Sequence, residues 1–168
     1  FWESFQSRLR KQFPTVLLIG EVWTNYREIA PYFRGIDANF NFDLAEAILT
    51  LLKQEENNGL IEMLQRIYKA YENVQVDFID AIMLSNHDQE RVASVLKGNV
   101  AKIKLAASIL LTLPGLPFLY YGEEIGMFGE KADIRIREPF VWGERDTDQT
   151  YWTPMELNKK TLPLQSQQ

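Results

Sequence analysis

Thr15-Val16-Leu17-Leu18-Ile19-Gly20 is an unbroken β-branched and aliphatic run, preceded by Pro14 and passing straight into Glu21-Val22-Trp23. A strand with one wet face alternates apolar and polar residues. A run without alternation suits a parallel strand covered on both faces. Phe78–Leu84 reads as a second strand of this kind, and Phe118–Tyr121 as a third. Gly35–Phe42 reads as a further strand in which Asp37, Asn39 and Asn41 alternate with Ile36, Ala38, Phe40 and Phe42, so that a polar face is turned toward a site.

Helical patterns separate these runs. Glu3–Gln12, with Phe5, Leu9 and Phe13 at spacings of four, reads as a helix face. Arg27–Phe33 reads as a short helix. Asp43 is expected to cap a helix over Leu44–Gln54, with Glu46 at the capping-box position. Asn57-Asn58-Gly59 breaks the chain before a helix over Leu60–Tyr71, and Asn99–Leu113 is a strongly apolar helix ending at Pro114. Helices alternating with buried strands predict an α/β fold with a parallel sheet and right-handed crossovers. A closed eight-stranded (β/α)8 barrel takes about 250 residues, and only four strands are legible in these 168 residues. A small open α/β sheet and half of a barrel both fit.

Composition narrows the function. With 46% hydrophobic and 24% charged residues the chain reads as globular. A net charge of −5 without a basic cluster argues against nucleic acid or an anionic membrane as partner. Zero cysteine and one histidine exclude cysteine-built metal sites and leave zinc without enough ligands, so no metal site is read. The longest uncharged stretch, Leu105–Tyr121, is interrupted by Pro114, Gly115 and Pro117 and reads as a buried helix plus a strand rather than a membrane span. The chain opens Phe1-Trp2-Glu3 without a legible leader, and Thr161–Gln168 completes no periodic element. It reads as a piece of a longer protein whose compartment stays open.

In parallel α/β folds the chemistry gathers beyond the carboxyl ends of the strands. The first run delivers Glu21 and Trp23 there; the second strand carries Asp37 and Asn39; the third ends in Ser85-Asn86-His87-Asp88-Gln89-Glu90, and the fourth in Gly122-Glu123-Glu124. Carboxylates beside an aromatic ring and a histidine suit sugar chemistry. Glycosidic cleavage needs a carboxylic acid that protonates the leaving oxygen and a second carboxylate that attacks or activates water. Partial desolvation at the mouth of an apolar strand favours a protonated carboxyl, which fits Glu21 to the acid role. Trp23 offers a face for a pyranose ring.

Plainer readings stand beside these. A lone Glu after a strand is often a cap or ion-pair partner, His87 by itself is often structural, and Asn86-His87-Asp88 would serve as the N-terminal cap of a following helix. Glu123 and Glu124 read as structural. No phosphate-binding glycine loop is present.

Leu18-Ile19-Gly20-Glu21-Val22-Trp23 and Leu84-Ser85-Asn86-His87-Asp88 together resemble the fifth- and seventh-strand motifs of the alpha-amylase superfamily of retaining glycoside hydrolases. Gly35–Asp43 is similar to its sixth-strand region, and Pro114–Met127 to its eighth strand and following loop. Ile134–Trp142 is similar to its Arg-x-Pro-Met-x-Trp stretch, with Phe140 at the usual Met position. The resemblance runs in order along nearly the whole chain. It implies a (β/α)8 barrel of the TIM type, here a partial barrel holding about strands five to eight, with residues 1–168 forming the second half of one catalytic domain.

Within the resemblance, Glu21 is the general acid/base, and Asp88 is a third carboxylate that steadies the distorted sugar. This differs from spacing alone, which pairs Glu21 with Asp88 as acid and nucleophile. His87 hydrogen-bonds the same sugar, and Asn86 supports the loop. Arg135 or Arg137 borders the cleft. The family's nucleophile lies in a Gly-x-Arg-x-Asp motif that none of these 168 residues matches. The first four strands and the C-terminal sandwich domain are likewise outside the resemblance. The implied substrate is an α-glucan or maltooligosaccharide. No cofactor is implied for this piece, and calcium only for a full-length enzyme. Two rivals remain: a non-catalytic sugar- or protein-binding module derived from the same barrel, and a generic α/β domain whose rim carboxylates are caps. A half-barrel would also self-associate or pair with its other half.

Overall fold

The computed structural model describes residues 1–57, 59–143, 158 and 161. Asn58 of the expected chain break, and all of the closing Thr161–Gln168 segment except Thr161, lie outside the described residues. Four strands, β1 (Ile19–Gly20), β2 (Ala38–Phe40), β3 (Ile79–Ile82) and β4 (Leu116–Pro117), form one sheet in the order β1-β2-β3-β4, every pair parallel. Helices lie between successive strands. They are α2 (Tyr26–Ile29), continued by a 3-10 turn over Ala30–Arg34; α3 (Phe42–Gln54) and α4 (Leu60–Glu72); and α5 (Val92–Val95) and α6 (Val100–Thr112). α1 (Trp2–Gln12) precedes the sheet and α7 (Asp133–Ile136) follows it.

Apolar burial between sheet and helices holds this layer together. Leu44, Ile48 and Leu52 of α3 pack with Leu60 and Leu64 of α4, Ile82 of β3, and Ala106 and Leu110 of α6. A second cluster joins Ile29, Ala30 and Phe33 to Ile67 and Tyr71 of α4. The period-two rule then assigns the faces. Ile82 faces the helices, so Asp80 does too, and Asn39 pairs with Asp80 in register. Ile19 and Glu21 flank Gly20, whose missing Cβ would lie 2.1 Å from the Asn39 Oδ1 on that helix side. They therefore face the opposite, inner side of the sheet, where Phe40 meets Phe118 edge-on at 4.8 Å.

Several local expectations change. The first strand is paired only at Ile19–Gly20, and it is not covered on both faces: Leu17 and Ile19 are 44% and 40% exposed. β1 is a sheet edge whose inner face meets no opposing layer among the described residues. The fourth strand pairs at Leu116–Pro117 rather than over Phe118–Tyr121, because register with Ala81 and Ile82 fixes it there. The polar face of β2 does not reach the rim. Asn39 and Asn41 are buried on the helix side, and Asp37, at the opposite end of the strand, accepts hydrogen bonds from Gln6, Arg10 and the Leu18 amide.

Asn41, not Asp43, caps α3, accepting from the Leu44 amide at 3.0 Å; the helix starts earlier than its apolar period because Phe42 is itself buried. Asp43 accepts from the Tyr26 amide instead, at 2.8 Å, and ties α2 to α3. The apolar α6 buries only Ala106 and Leu110. No described helix is long and apolar enough to cross a membrane.

Candidate active site

Glu21 leaves the carboxyl end of β1, and Asn86-His87-Asp88 leaves that of β3, two staves away. The tertiary fold brings them together: one oxygen or nitrogen from each of Glu21, His87 and Asp88 lies within 4.8 Å of the others. Asn86 joins them, its Nδ2 donating to Glu21 Oε1 at a long 3.5 Å while its Oδ1 accepts from the Asp88 amide at 2.9 Å. His87 Nε2 sits 3.3 Å from Asp88 Oδ2. Glu21 and His87 are exposed, and Asp88 is partly buried. Glu21 therefore lacks, within this chain, the desolvation that the sequence reading expected around it.

The arginine at this site is Arg137. Its NH2 donates to Asp88 Oδ1 at 2.5 Å, and its Nε donates to the His87 carbonyl at 2.9 Å. Arg135, two residues away on α7, is exposed and makes no side-chain contact with the cluster. Trp23 stacks face to face on Phe42 with ring centroids 4.8 Å apart and planes 9° from parallel. It remains 54% exposed.

Buried groups brace this arrangement. Ser85 donates to the carboxylate of Glu123, which burial pushes up to about 7; this contact pins the start of the Asn86 loop to the loop after β4. Burial likewise raises Asp80 to about 7, and the Asn41 amide donates to it at 2.9 Å. Arg91 is fully buried against the rings of Tyr120 and Tyr121, donating to the carbonyls of Ile136 (2.8 Å) and Tyr121 (2.5 Å). It thereby fastens α7, and with it Arg137, over Asp88. Nothing in the sequence pattern singles out Arg91, because its partners are backbone carbonyls. The expected capping role of Asn86-His87-Asp88 is not taken up: α5 starts at Val92, with Arg91 before it and no side-chain cap.

As a metal site the cluster is poor. Calcium takes about six to eight oxygen ligands. Here two carboxylates and one imidazole are offered, and the Arg137 guanidinium already occupies Asp88. The donor set suits hydrogen bonding to hydroxyls and proton transfer.

The family model described as "Alpha amylase, catalytic domain" matches residues 1–167. "Alpha-amylase 3" of Dictyoglomus thermophilum is 47% identical over 154 residues, covering 90% of this chain and 31% of that protein. A 4-alpha-glucanotransferase of Thermotoga maritima is 35% identical over 158 residues, covering 90% of this chain and 34% of that protein. The crystal structure of an alpha-amylase from H. orenii superposes with a TM-score of 0.90 at 41% identity, over 98% of this chain and 34% of the other. The chain thus spans about a third of the length of the D. thermophilum and T. maritima relatives.

Proposed function

We propose a catalytic role for this chain from one premise: it belongs to the alpha-amylase family, matching the catalytic domain of that family. Its residues form the second half of a (β/α)8 barrel that cleaves α-glucosidic bonds of starch-like glucans with retention. The convergence of Glu21, His87 and Asp88 within 4.8 Å carries this reading. It puts two carboxylates and an imidazole side by side at the carboxyl ends of β1 and β3, the end of a barrel sheet where its chemistry gathers.

The chemistry assigned to these side chains is as follows. As the bond between the anomeric carbon and the glycosidic oxygen breaks, the Glu21 carboxyl gives its proton to that oxygen. The anomeric carbon passes to a carboxylate nucleophile supplied by the other half of the barrel. Glu21, now ionised, then takes a proton from water or an acceptor sugar as that oxygen displaces the enzyme carboxylate. Asp88 and His87 hold hydroxyls of the sugar beside the bond. These contacts accelerate the step only to the extent that they strengthen as the ring flattens. Arg137 and Asn86 position the pair. By this reading the 168 residues alone are inactive.

The test is a chimera in which this chain replaces the matching segment of the D. thermophilum relative. The expected result is hydrolysis of soluble starch giving α-anomeric products by proton NMR. Glu21→Gln should cut kcat/KM by about 10²- to 10⁴-fold, the usual worth of a general acid. A far smaller loss is expected on an α-glucosyl fluoride, whose leaving group needs no proton. A folded chimera that binds maltooligosaccharides without cleaving them supports the binding module. One whose starch activity survives Glu21→Gln refutes the role given to Glu21.

A further inference from the structure

Glu21 stands just past the last paired position of β1, where Gly20 meets Asn39. Among the described residues its carboxylate accepts one hydrogen bond, the long Asn86 contact at 3.5 Å. Its direction is therefore set by the chain on either side of it. Downstream, Val22 packs against the cluster of Ile29, Phe33, Ile67 and Tyr71, and Trp23 lies flat on Phe42. Apolar contacts are non-directional, so they keep this segment against the fold without fixing how far it slides. A hydrogen bond fixes a distance and an angle. Asp43 supplies one: its Oδ2 accepts from the Tyr26 amide at 2.8 Å. Bonds inside the segment make it a unit, the Thr24 amide donating to the Val22 carbonyl at 2.9 Å and the Arg27 and Glu28 amides to Asn25 Oδ1 at 3.0 and 3.3 Å. Holding Tyr26 thus holds the stretch that leads back to Glu21.

Asp43 is itself placed by β3. It sits in the first turn of α3, which Asn41 starts by accepting from the Leu44 amide at 3.0 Å. The Asn41 amide nitrogen donates to the Ala81 carbonyl at 3.0 Å, and its Nδ2 donates to Asp80 at 2.9 Å. Asp80 and Ala81 belong to β3, the strand that delivers Asn86, His87 and Asp88. β2 separates β1 from β3 in the sheet. The Asp43 contact therefore ties the segment after Glu21 to the strand carrying the other carboxylate, by a route that does not pass through Asn86.

We propose that Asp43 is a positioning residue for Glu21: by holding the Tyr26 amide it keeps the Glu21 carboxyl where it reaches the glycosidic oxygen. The assignment rests on the acid role given to Glu21 above; the anchoring contact does not. Asp43 touches no reacting atom, so its removal should cost activity only where that proton is needed. A misplacement of about 1 Å in a catalytic constellation costs up to about 10²-fold.

Asp43→Ala in the starch chimera should lower kcat/KM for soluble starch about tenfold, mainly through kcat, because the acid acts in the transition state. The same variant should change kcat/KM for an α-glucosyl fluoride, whose departure needs no proton, by less than about twofold. Asp43→Asn keeps a carbonyl oxygen for the Tyr26 amide and should recover most of the starch activity. Equal losses on the two substrates, or an unchanged starch rate in Asp43→Ala, overturn the proposal. Hydrogen–deuterium exchange over Val22–Glu28 reads the anchor without turnover: the Tyr26 amide should exchange about tenfold faster in Asp43→Ala and near the parent rate in Asp43→Asn. A folded parent chimera that cleaves no starch overturns the function proposed above and the acid role with it, while faster Tyr26 exchange still shows Asp43 holding the segment. A starch-active parent whose Tyr26 exchange is unchanged in Asp43→Ala overturns the role of Asp43 alone.

Discussion

Replacing Asp80 by Asn removes a carboxyl that the fold buries beside Asn41 and raises from 3.8 to about 7, burial being the main cause and the Asn41 hydrogen bond a partial offset. In the unfolded chain the same group ionises at its ordinary value. Between about pH 4 and pH 7 the folded form therefore keeps a proton that the unfolded form has lost. Folding takes up that proton, so the contribution is fully present below pH 4 and is lost as pH rises toward 7. Each unit corresponds to about 1.4 kcal/mol, and a rise of roughly three units gives a loss on the order of 4 kcal/mol. Asn keeps the shape and an amide oxygen for Asn41 but cannot ionise. Urea unfolding followed by far-UV circular dichroism at pH 4.5 and 7.5 reads the effect. The native chain should lose stability across this interval relative to Asp80→Asn by a few kcal/mol. Surface carboxylates lowered by lysine neighbours, Glu55 and Asp133, bias the pH profile the other way, but they are common to both proteins and cancel in the difference. Parallel profiles for the two proteins would refute the burial argument.

Arg137→Ala in the starch chimera should lower kcat/KM about 10- to 100-fold, since a charge-assisted contact to Asp88 worth about 1.5–3 kcal/mol is lost, whereas Arg135→Ala should change it less than twofold; steady-state kinetics on both variants checks the contrast. Gly20→Ala should destabilise the chain by about 1–3 kcal/mol, the usual scale of overpacking, because the new methyl collides with the fully buried Asn39; thermal melts measure it. The isolated chain should run larger than a monomer in light scattering, since Leu17, Ile19, Leu116 and Leu119 are exposed along its two sheet edges and inner face. Leu17→Lys with Ile19→Lys should shift it toward smaller species, as charges do on open edges. A monodisperse native monomer would count against the half-barrel.

The elements that were legible share a physical property: a long periodic signal whose free energy is local or nearly so. The apolar stripe of Leu60, Leu64, Ile67 and Tyr71 needs only a helix to become one face. Phe78–Leu84 needs only burial to become a strand. Boundaries set by a partner were not legible. Asn41 and Asp43 are both good caps, and Asn41 holds the position because β2 delivers it there. The choice between Arg135 and Arg137 turns on which face of a single-turn helix the buried Arg91 presents to Asp88. Asn39 and Asn41 alternate as a rim-facing pair would, yet register with Asp80 puts them under helices.

The amino-acid order by itself determined an α/β chain with parallel strands, and motifs at two strand ends that carry Glu21, Asn86, His87 and Asp88. Those follow from burial patterns and from residue types at fixed spacing, which the chain holds before it folds. That 65 positions of separation close to a 3.5 Å contact between Asn86 and Glu21 was decided only by the tertiary structure. So were the clamping of Asp88 by Arg137 and the exposure of Glu21. Each depends on how parallel staves stack side by side, a long-range packing outcome that no local pattern encodes.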